Sequence, residues 1–217
     1  MNACDSVLGS AFERGLAQAP AVISSGVSYS FAQVRQEVGR HANALHALGI
    51  APGARVVLLL PDSLALVAAH LGTMAAGAVA VTLSLRLSPD ELTEALRDSG
   101  CSLVLVDAGL QPRFSQALSA QDATWQVYSM HGKISGLPAW EAFCAEQSPE
   151  FTAVNMPPSA MAFWIYTSGT TGELKACVHR HESVIPARDY LTGVLGVRAG
   201  MKVYATSKLF FAYALGT

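Results

Sequence analysis

The chain has 217 residues, 51% of them hydrophobic, and its formal net charge is −2. This length suffices for one large or two small domains, and the near-neutral charge argues against a nucleic-acid partner, which usually requires a basic patch. The most apolar region, residues 56–83, is interrupted by Pro61, His70, Gly72 and Gly77. No unbroken apolar stretch therefore reaches the roughly 20 residues that a membrane-spanning helix needs.

The N-terminus and the cysteines indicate the compartment. The first 18 residues carry Asp5 and Glu13 and lack a long apolar core, so we expect no secretory signal. The four cysteines, at positions 4, 101, 144 and 177, form no C-x-x-C pair. We therefore expect reduced thiols and a cytoplasmic protein.

Helix start signals recur along the chain. Ser30 is a suitable N-cap for a helix over residues 31–48, and Asp62 for a helix that runs to about residue 76. The run Ser-Pro-Asp-Glu at 88–91 is a capping box with proline at the first helical position, and its helix ends near Gly100. Further helices are predicted over 111–118, 139–145 and 182–195.

Apolar runs between these helices predict buried strands. They cover residues 55–60, 78–83, 102–106, 125–128, 160–166, 174–179 and 202–205. The βαβα rhythm predicts an α/β fold, in which a parallel sheet is covered by helices on both faces. Because residues 129–160 hold glycine and proline interruptions and few apolar runs, we place a boundary there. It separates an N-terminal α/β subdomain (1–150) from the beginning of a second α/β subdomain (151–217).

The most informative stretch is residues 166–176, Tyr-Thr-Ser-Gly-Thr-Thr-Gly-Glu-Leu-Lys-Ala. Glycine lets the backbone turn sharply, and hydroxyls, N–H groups and the charge of Lys175 can converge on an anion. The stretch favours a phosphate-binding loop, although ordinary surface loops share this composition. It is not a Walker loop, because Lys175 lies three residues after Gly172, and Gly169 and Gly172 do not supply G-x-G-x-x-G.

The loop resembles the signature of the adenylate-forming enzymes, Tyr/Phe–Ser/Thr–Ser–Gly–Ser/Thr–Thr–Gly–x–Pro–Lys–Gly. That family contains acyl-CoA synthetases, luciferases and nonribosomal-peptide adenylation domains. Segments at 28–34, 53–61, 74–81, 85–92 and 178–181 match the family in order and spacing, and residues 208–216 look most like the benzoate-CoA ligase branch. Two positions depart, Leu174 for proline and Ala176 for glycine, and we expect them to affect loop shape and catalytic efficiency.

The resemblance implies an ATP-dependent carboxylate-CoA ligase, which forms an acyl-adenylate and then an acyl or aryl thioester. It implies ATP, Mg²⁺ and coenzyme A for the full-length protein, and a small carboxylic acid as substrate. It assigns nucleotide binding to Thr167, Ser168, Gly169, Thr170, Thr171, Gly172 and Lys175. It assigns the substrate pocket to Phe210, Phe211, Ala212, Tyr213 and Gly216, where an aromatic wall suits a flat acid such as benzoate. The alternatives are turn hydrogen bonds for the hydroxyls and plain core packing for the aromatic rings.

The sequence predicts neither a metal site nor a catalytic residue. His179 and His181 would share a face of a strand, but no third ligand lies nearby in sequence, so no metal site is predicted. The family's catalytic lysine and Mg²⁺-binding glutamate have no counterpart before Thr217, so no catalytic residue is named. We therefore expect an N-terminal fragment that is inactive alone and self-associates through exposed apolar surface. The alternatives are a nucleotide-binding module without catalysis and a relative that uses an acceptor other than coenzyme A.

Overall fold

The computed structural model describes residues 1–119, 124–168, 174–204 and 206–215. The strands are β1 (Pro20–Ser24), β2 (Val27–Ser30), β3 (Arg55–Leu59), β4 (Val79–Thr82), β5 (Leu103–Asp107), β6 (Gln126–Met130), β7 (Met161–Ser168) and β8 (Leu174–Arg180). The α-helices are α1 (Ala3–Glu13), α2 (Phe31–Ala47), α3 (Leu64–Ala75), α4 (Pro89–Ser99), α5 (Gln111–Leu118), α6 (Trp140–Ala145), α7 (Val184–Asp189) and α8 (Ala212–Leu215). A 3₁₀ turn (His181–Ser183) precedes α7, and a π-helical turn (Tyr190–Val194) follows it.

Six strands form the central sheet, in the order β6-β5-β3-β4-β7-β8. Neighbouring strands are parallel from β6 to β7, and only β8 runs antiparallel to its neighbour β7. The carboxyl ends of the five parallel strands therefore meet at one edge of the sheet, called the carboxyl edge below. The first two strands pair separately as an antiparallel hairpin.

Helices cover both faces of this sheet, as the sequence predicts. Val56, Leu58 and Leu60 belong to a core cluster with residues of α1, α2, α3 and α6. Val57 and Leu59 belong to a second cluster, with residues of α4 and α5. A strand buried on both faces is apolar at successive positions, which is why β3 has no polar alternation.

Local capping signals place several helices correctly. The capping boxes that begin at Ser30 and Ser88 are both formed, and Gly100 ends α4 in the left-handed conformation, with φ 52°. The prediction for Asp62 is wrong, because the Ser63 hydroxyl accepts the Leu66 N–H and caps α3. The Asp62 carboxylate instead accepts a backbone N–H from a distant part of the chain.

Predictions near the C-terminal end and the N-terminus need correction. The single helix expected over 182–195 is divided into the 3₁₀ turn, α7 and the π-helical turn; Pro186 has no N–H to donate, and Gly193 lowers helix propensity. Residues 201–204 have no regular secondary structure where a strand was expected, and Ala205 lies outside the described residues. The helix α1 and the hairpin β1–β2 were not predicted.

The expected boundary near residue 150 does not separate two sheets. β7 pairs with β4, so strands from both sides of that boundary share one sheet. The division into two subdomains stays a prediction. Across the described ranges, none of the helices combines the length and apolarity required to cross a membrane.

Candidate active site

The strands that flank the candidate loop reach the carboxyl edge of the sheet. Ile165 pairs with Thr82, the last residue of β4, so residues 166–168 extend β7 beyond its neighbour. β8 begins at Leu174, opposite Ser168. The loop residues Gly169, Thr170, Thr171 and Gly172 and the side chain of Ser168 lie outside the described residues. In open α/β sheets, ligands bind just outside this edge.

Thr167 and Lys175 form a cross-strand pair at this edge. Directly opposed residues in an antiparallel pair project from the same face, with Cβ atoms about 5 Å apart. Both side chains are exposed, and no described carboxylate forms an ion pair with Lys175. The Thr167 hydroxyl has one weak contact, with Cys177 Sγ at 4.0 Å. A hydroxyl and a positive charge therefore lie side by side where an anionic ligand could bind.

Tyr166 fixes the end of β7 to a neighbouring helix. Its hydroxyl donates to Oδ2 of Asp98 in α4 at 2.5 Å. Burial, together with this hydrogen bond to the carboxylate, raises the pKa of Tyr166, so the phenol stays protonated and acts as the donor. Asp98 lies 68 residues away in sequence, and no local signal in the sequence indicated its role.

The predicted substrate-pocket residues lie in a segment that reaches the same edge. Leu209 N–H donates to Oδ1 of Asp62 at 3.1 Å, and Asp62 comes three residues after β3. Phe210 is buried, whereas Phe211 is 48% exposed. Ala212 is exposed at the start of α8. The side chain of Tyr213 and all of Gly216 lie outside the described residues.

The sheet order brings the two candidate regions together. Asp62, which accepts the Leu209 N–H, follows β3. Only β4 lies between β3 and β7 in the sheet. Neighbouring strands are about 4.8 Å apart, so two spacings amount to about 10 Å. The flanks of the loop and the anchored segment therefore lie near one another at the carboxyl edge.

Comparison with known proteins shows the family to which the chain belongs. The family described as "AMP-binding enzyme" matches residues 11–217. The chain belongs to this family. The 3-hydroxybenzoate–CoA/4-hydroxybenzoate–CoA ligase of Thauera aromatica is 36% identical, over 100% of this chain and 42% of that protein. The benzoate–CoA ligase of the same organism is 30% identical, over 99% of this chain and 41% of that protein.

A solved structure shows the same backbone arrangement. The anthranilate CoA ligase in complex with anthranoyl-AMP superposes with a TM-score of 0.94 at 27% identity, over 100% of this chain and 42% of that one. This chain therefore spans about two fifths of the length of the relatives that it matches. These findings confirm the resemblance to the benzoate-CoA ligase branch of the family.

The two departures from the family motif fit the hairpin without strain. Ala176 pairs with Tyr166 in regular register, and it is not among the non-glycine residues with positive φ. A glycine is therefore not required at 176 in this backbone. Leu174 packs against the core cluster that contains residues of α4 and α5. The expected effect of both residues on catalytic efficiency stays a prediction.

His179 and His181 do not converge on a common point. The His179 ring stacks on Phe163 with centroids 4.5 Å apart, whereas His181 is buried in the 3₁₀ turn and accepts the Ala3 N–H at Nδ1, 3.0 Å away. Burial lowers the pKa of both histidines. Within the described ranges, no group of three His, Cys, Asp or Glu side chains could hold a metal ion. The Mg²⁺ that the family resemblance implies therefore has no ligands assigned here.

A cavity of about 580 Å³ opens between the β1–β2 hairpin and α2, α3 and α6, and its lining includes Ser63 and Met130 near the carboxyl ends of β3 and β6. His41 accepts the Trp140 indole N–H at 2.8 Å, and Arg40 donates to the Gln147 carbonyl at 2.8 Å. His41 and Arg40 therefore already have hydrogen-bond partners within the protein. No candidate nucleotide- or acid-binding residue lines the cavity. We therefore place the candidate site at the carboxyl edge.

Proposed function

We propose that this chain supplies the N-terminal part of an AMP-forming carboxylate-CoA ligase that acts on an aromatic acid. The observation that carries the proposal is that two described parts of the motif segments lie at the carboxyl edge of the sheet: the Thr167–Lys175 pair, and Leu209, which binds Asp62. Similarity to ligases of hydroxybenzoates and benzoate supports an aromatic substrate. The cytoplasmic location stays a prediction.

The reaction has two steps. A carboxylate oxygen of the acid attacks the α-phosphorus of ATP, the bond from that phosphorus to the bridging oxygen breaks, and pyrophosphate leaves. The sulfur of coenzyme A then attacks the acyl carbon of the acyl-adenylate, and AMP leaves with the electrons of the broken C–O bond.

In this proposal the β7–β8 hairpin reduces the charge repulsion of the first step. An anionic acid must approach the triphosphate, which is itself strongly anionic. The Lys175 ammonium and the Thr167 hydroxyl would bind phosphate oxygens and stabilise the negative charge that develops on the leaving pyrophosphate. The bond from Tyr166 to Asp98 would hold β7 still, so these donors are oriented before the nucleotide binds.

The aromatic segment would supply the flat wall of the acid pocket. The Phe211 ring is half-exposed and its centroid lies 4.7 Å from that of the buried Phe210. In this arrangement Phe210 supports the wall from the core, and Phe211 presents apolar surface to the acid. The pocket role of both rings stays a prediction.

The test is carboxylate-dependent exchange of pyrophosphate into ATP by the full-length protein. We expect exchange with benzoate and 3-hydroxybenzoate, and only background from the 217-residue chain. Lys175→Met should lower exchange about 100-fold, the effect of removing one donor to developing charge. Lys133→Met removes an exposed lysine outside the site and serves as the matched control. Exchange without any carboxylate, or equal rates for the two variants, would contradict the proposal.

Product analysis distinguishes a coenzyme A ligase from a relative that uses another acceptor. A carboxylate-CoA ligase should release AMP and a thioester only when coenzyme A is added. A relative with another acceptor would carry out acid-dependent exchange and release no coenzyme A thioester.

A further inference from the structure

We propose that Asp62 is a positioning residue for the acid-binding site. Together with Lys208 it would fix residues 208–211, called here the acid-pocket segment, to the carboxyl edge of the sheet. The inference rests on the proposed function, since it assigns that segment to the acid pocket. It goes beyond that function by naming the group that orients the segment.

The carboxylate of Asp62 is free for this task because its neighbour caps the helix. The Ser63 hydroxyl accepts the Leu66 N–H, so the start of α3 does not use Asp62. Each oxygen of Asp62 then contacts a different part of the acid-pocket segment. Oδ1 accepts the Leu209 N–H at 3.1 Å, and Oδ2 lies 3.5 Å from Nζ of Lys208.

Anchoring Leu209 determines where the aromatic rings lie. The Leu209 side chain packs on the core cluster that includes residues of α2 and α3. The next turn closes when Phe211 N–H donates to the Lys208 carbonyl at 2.9 Å. The Phe211 carbonyl then accepts the Leu215 N–H at 3.1 Å, which starts α8. The position of Phe211 therefore depends on the hydrogen bond to Asp62 together with the packing of Leu209 and the turn at Lys208.

The two contacts of Asp62 differ in expected strength. The ion pair is exposed, with 64% of the Lys208 side chain accessible to solvent, and exposed ion pairs contribute little. The hydrogen bond from Leu209 has a charged acceptor, and such bonds are the stronger kind. We therefore expect the backbone bond to dominate.

The experiment compares four variants of the full-length protein. Asp62→Ala removes both contacts and should raise KM for the aromatic acid about 10-fold, while KM for ATP changes little. Asp62→Asn keeps an oxygen that can accept the Leu209 N–H, and Lys208→Met removes only the ion pair. Both should raise KM for the acid by no more than about threefold.

Ser63→Ala is the matched control. It removes the cap of α3 beside Asp62, so it should lower Tm and leave KM for the acid unchanged. If Asp62→Ala leaves KM for the acid unchanged, or raises KM for ATP by as much as KM for the acid, the positioning role is overturned.

Amide hydrogen exchange separates this inference from the proposed function. Asp62→Ala should speed exchange at the Leu209 amide, whereas Ser63→Ala should speed it at Leu66. This result is expected whichever carboxylate the enzyme activates, even if it activates none. Unchanged exchange at Leu209 in Asp62→Ala would overturn the anchor itself.

Discussion

The strands in the middle of the sheet and the chain that follows β8 differ in how far their apolar side chains are exposed to solvent. From Val56 to Leu60 every residue is fully buried. After β8, large apolar side chains face solvent, with Val194 exposed at 71% and Tyr204 at 87%. The first region completes its own core, whereas the second presents apolar surface suited to a contact. Stability is therefore expected to depend on the first region, and association on the second.

The largest difference should appear when one apolar side chain is truncated in each region. Leu58→Ala removes a fully buried side chain from β3 and should lower the free energy of unfolding by about 2–5 kcal/mol. Val194→Ala, in the chain after β8, truncates a side chain that is 71% exposed and should change the free energy of unfolding by less than about 0.5 kcal/mol. Urea unfolding measures both. Equal losses in the free energy of unfolding for the two variants would contradict the claim that stability depends mainly on the first region.

Acid should lower the free energy of unfolding through two buried histidines, and the effect of each histidine should be somewhat smaller than that of Leu58→Ala. Burial lowers the pKa of His41 and of His70 from 6.5 to about 4. Well above pH 6.5 both histidines are neutral in the folded and in the unfolded chain. Below it the unfolded chain takes up protons that the folded chain cannot, so stability falls progressively until about pH 4. At about pH 5 each histidine should account for a loss of about 2 kcal/mol.

His41→Gln tests this dependence. The free energy of unfolding, measured at about pH 7.5 and about pH 5, should differ less for this variant than for the parent chain. His46→Gln changes an exposed histidine in the same helix, α2, and should leave that difference as it was. A pH dependence that His41→Gln does not reduce would contradict the assignment.

The smallest free-energy change is expected for self-association through the chain that follows β8. The 217-residue chain should self-associate weakly, and sedimentation velocity should show a larger species as concentration rises. Val194→Asp with Tyr204→Asp places charge on the exposed apolar surface and should shift the chain toward monomer. Val7→Asp changes an exposed apolar residue of α1, 46% exposed, and should not. A parent chain that stays monomeric at all concentrations would show that this surface has no such role.

The parts of the fold set by local signals could be predicted from the sequence. The capping boxes at Ser30 and Ser88 lie within four residues of the helix starts that they specify, and the apolar run of β3 records burial on both faces. The loop at 166–176 was recognised from its residues alone, and family membership confirms that recognition. The choice of Ser63 over Asp62 as a cap could not be made locally, because both residues are good cap formers.

The contacts that support the candidate site could not be predicted. Asp98 meets Tyr166 across 68 residues, and Asp62 meets Leu209 across 147. Such pairings depend on the order of strands in the sheet, which no local pattern contains. The antiparallel course of β8 against β7 is different, because only five residues separate the two strands and a parallel connection needs a crossover of about a dozen or more.

A crystal structure of the full-length protein with an ATP analogue and an aromatic acid would test the central claim most directly. The account predicts that Nζ of Lys175 and Oγ1 of Thr167 lie within hydrogen-bonding distance of the β- or γ-phosphate oxygens, with the acid beside Phe211. A nucleotide bound elsewhere, with the β7–β8 hairpin turned away from its phosphates, would contradict it.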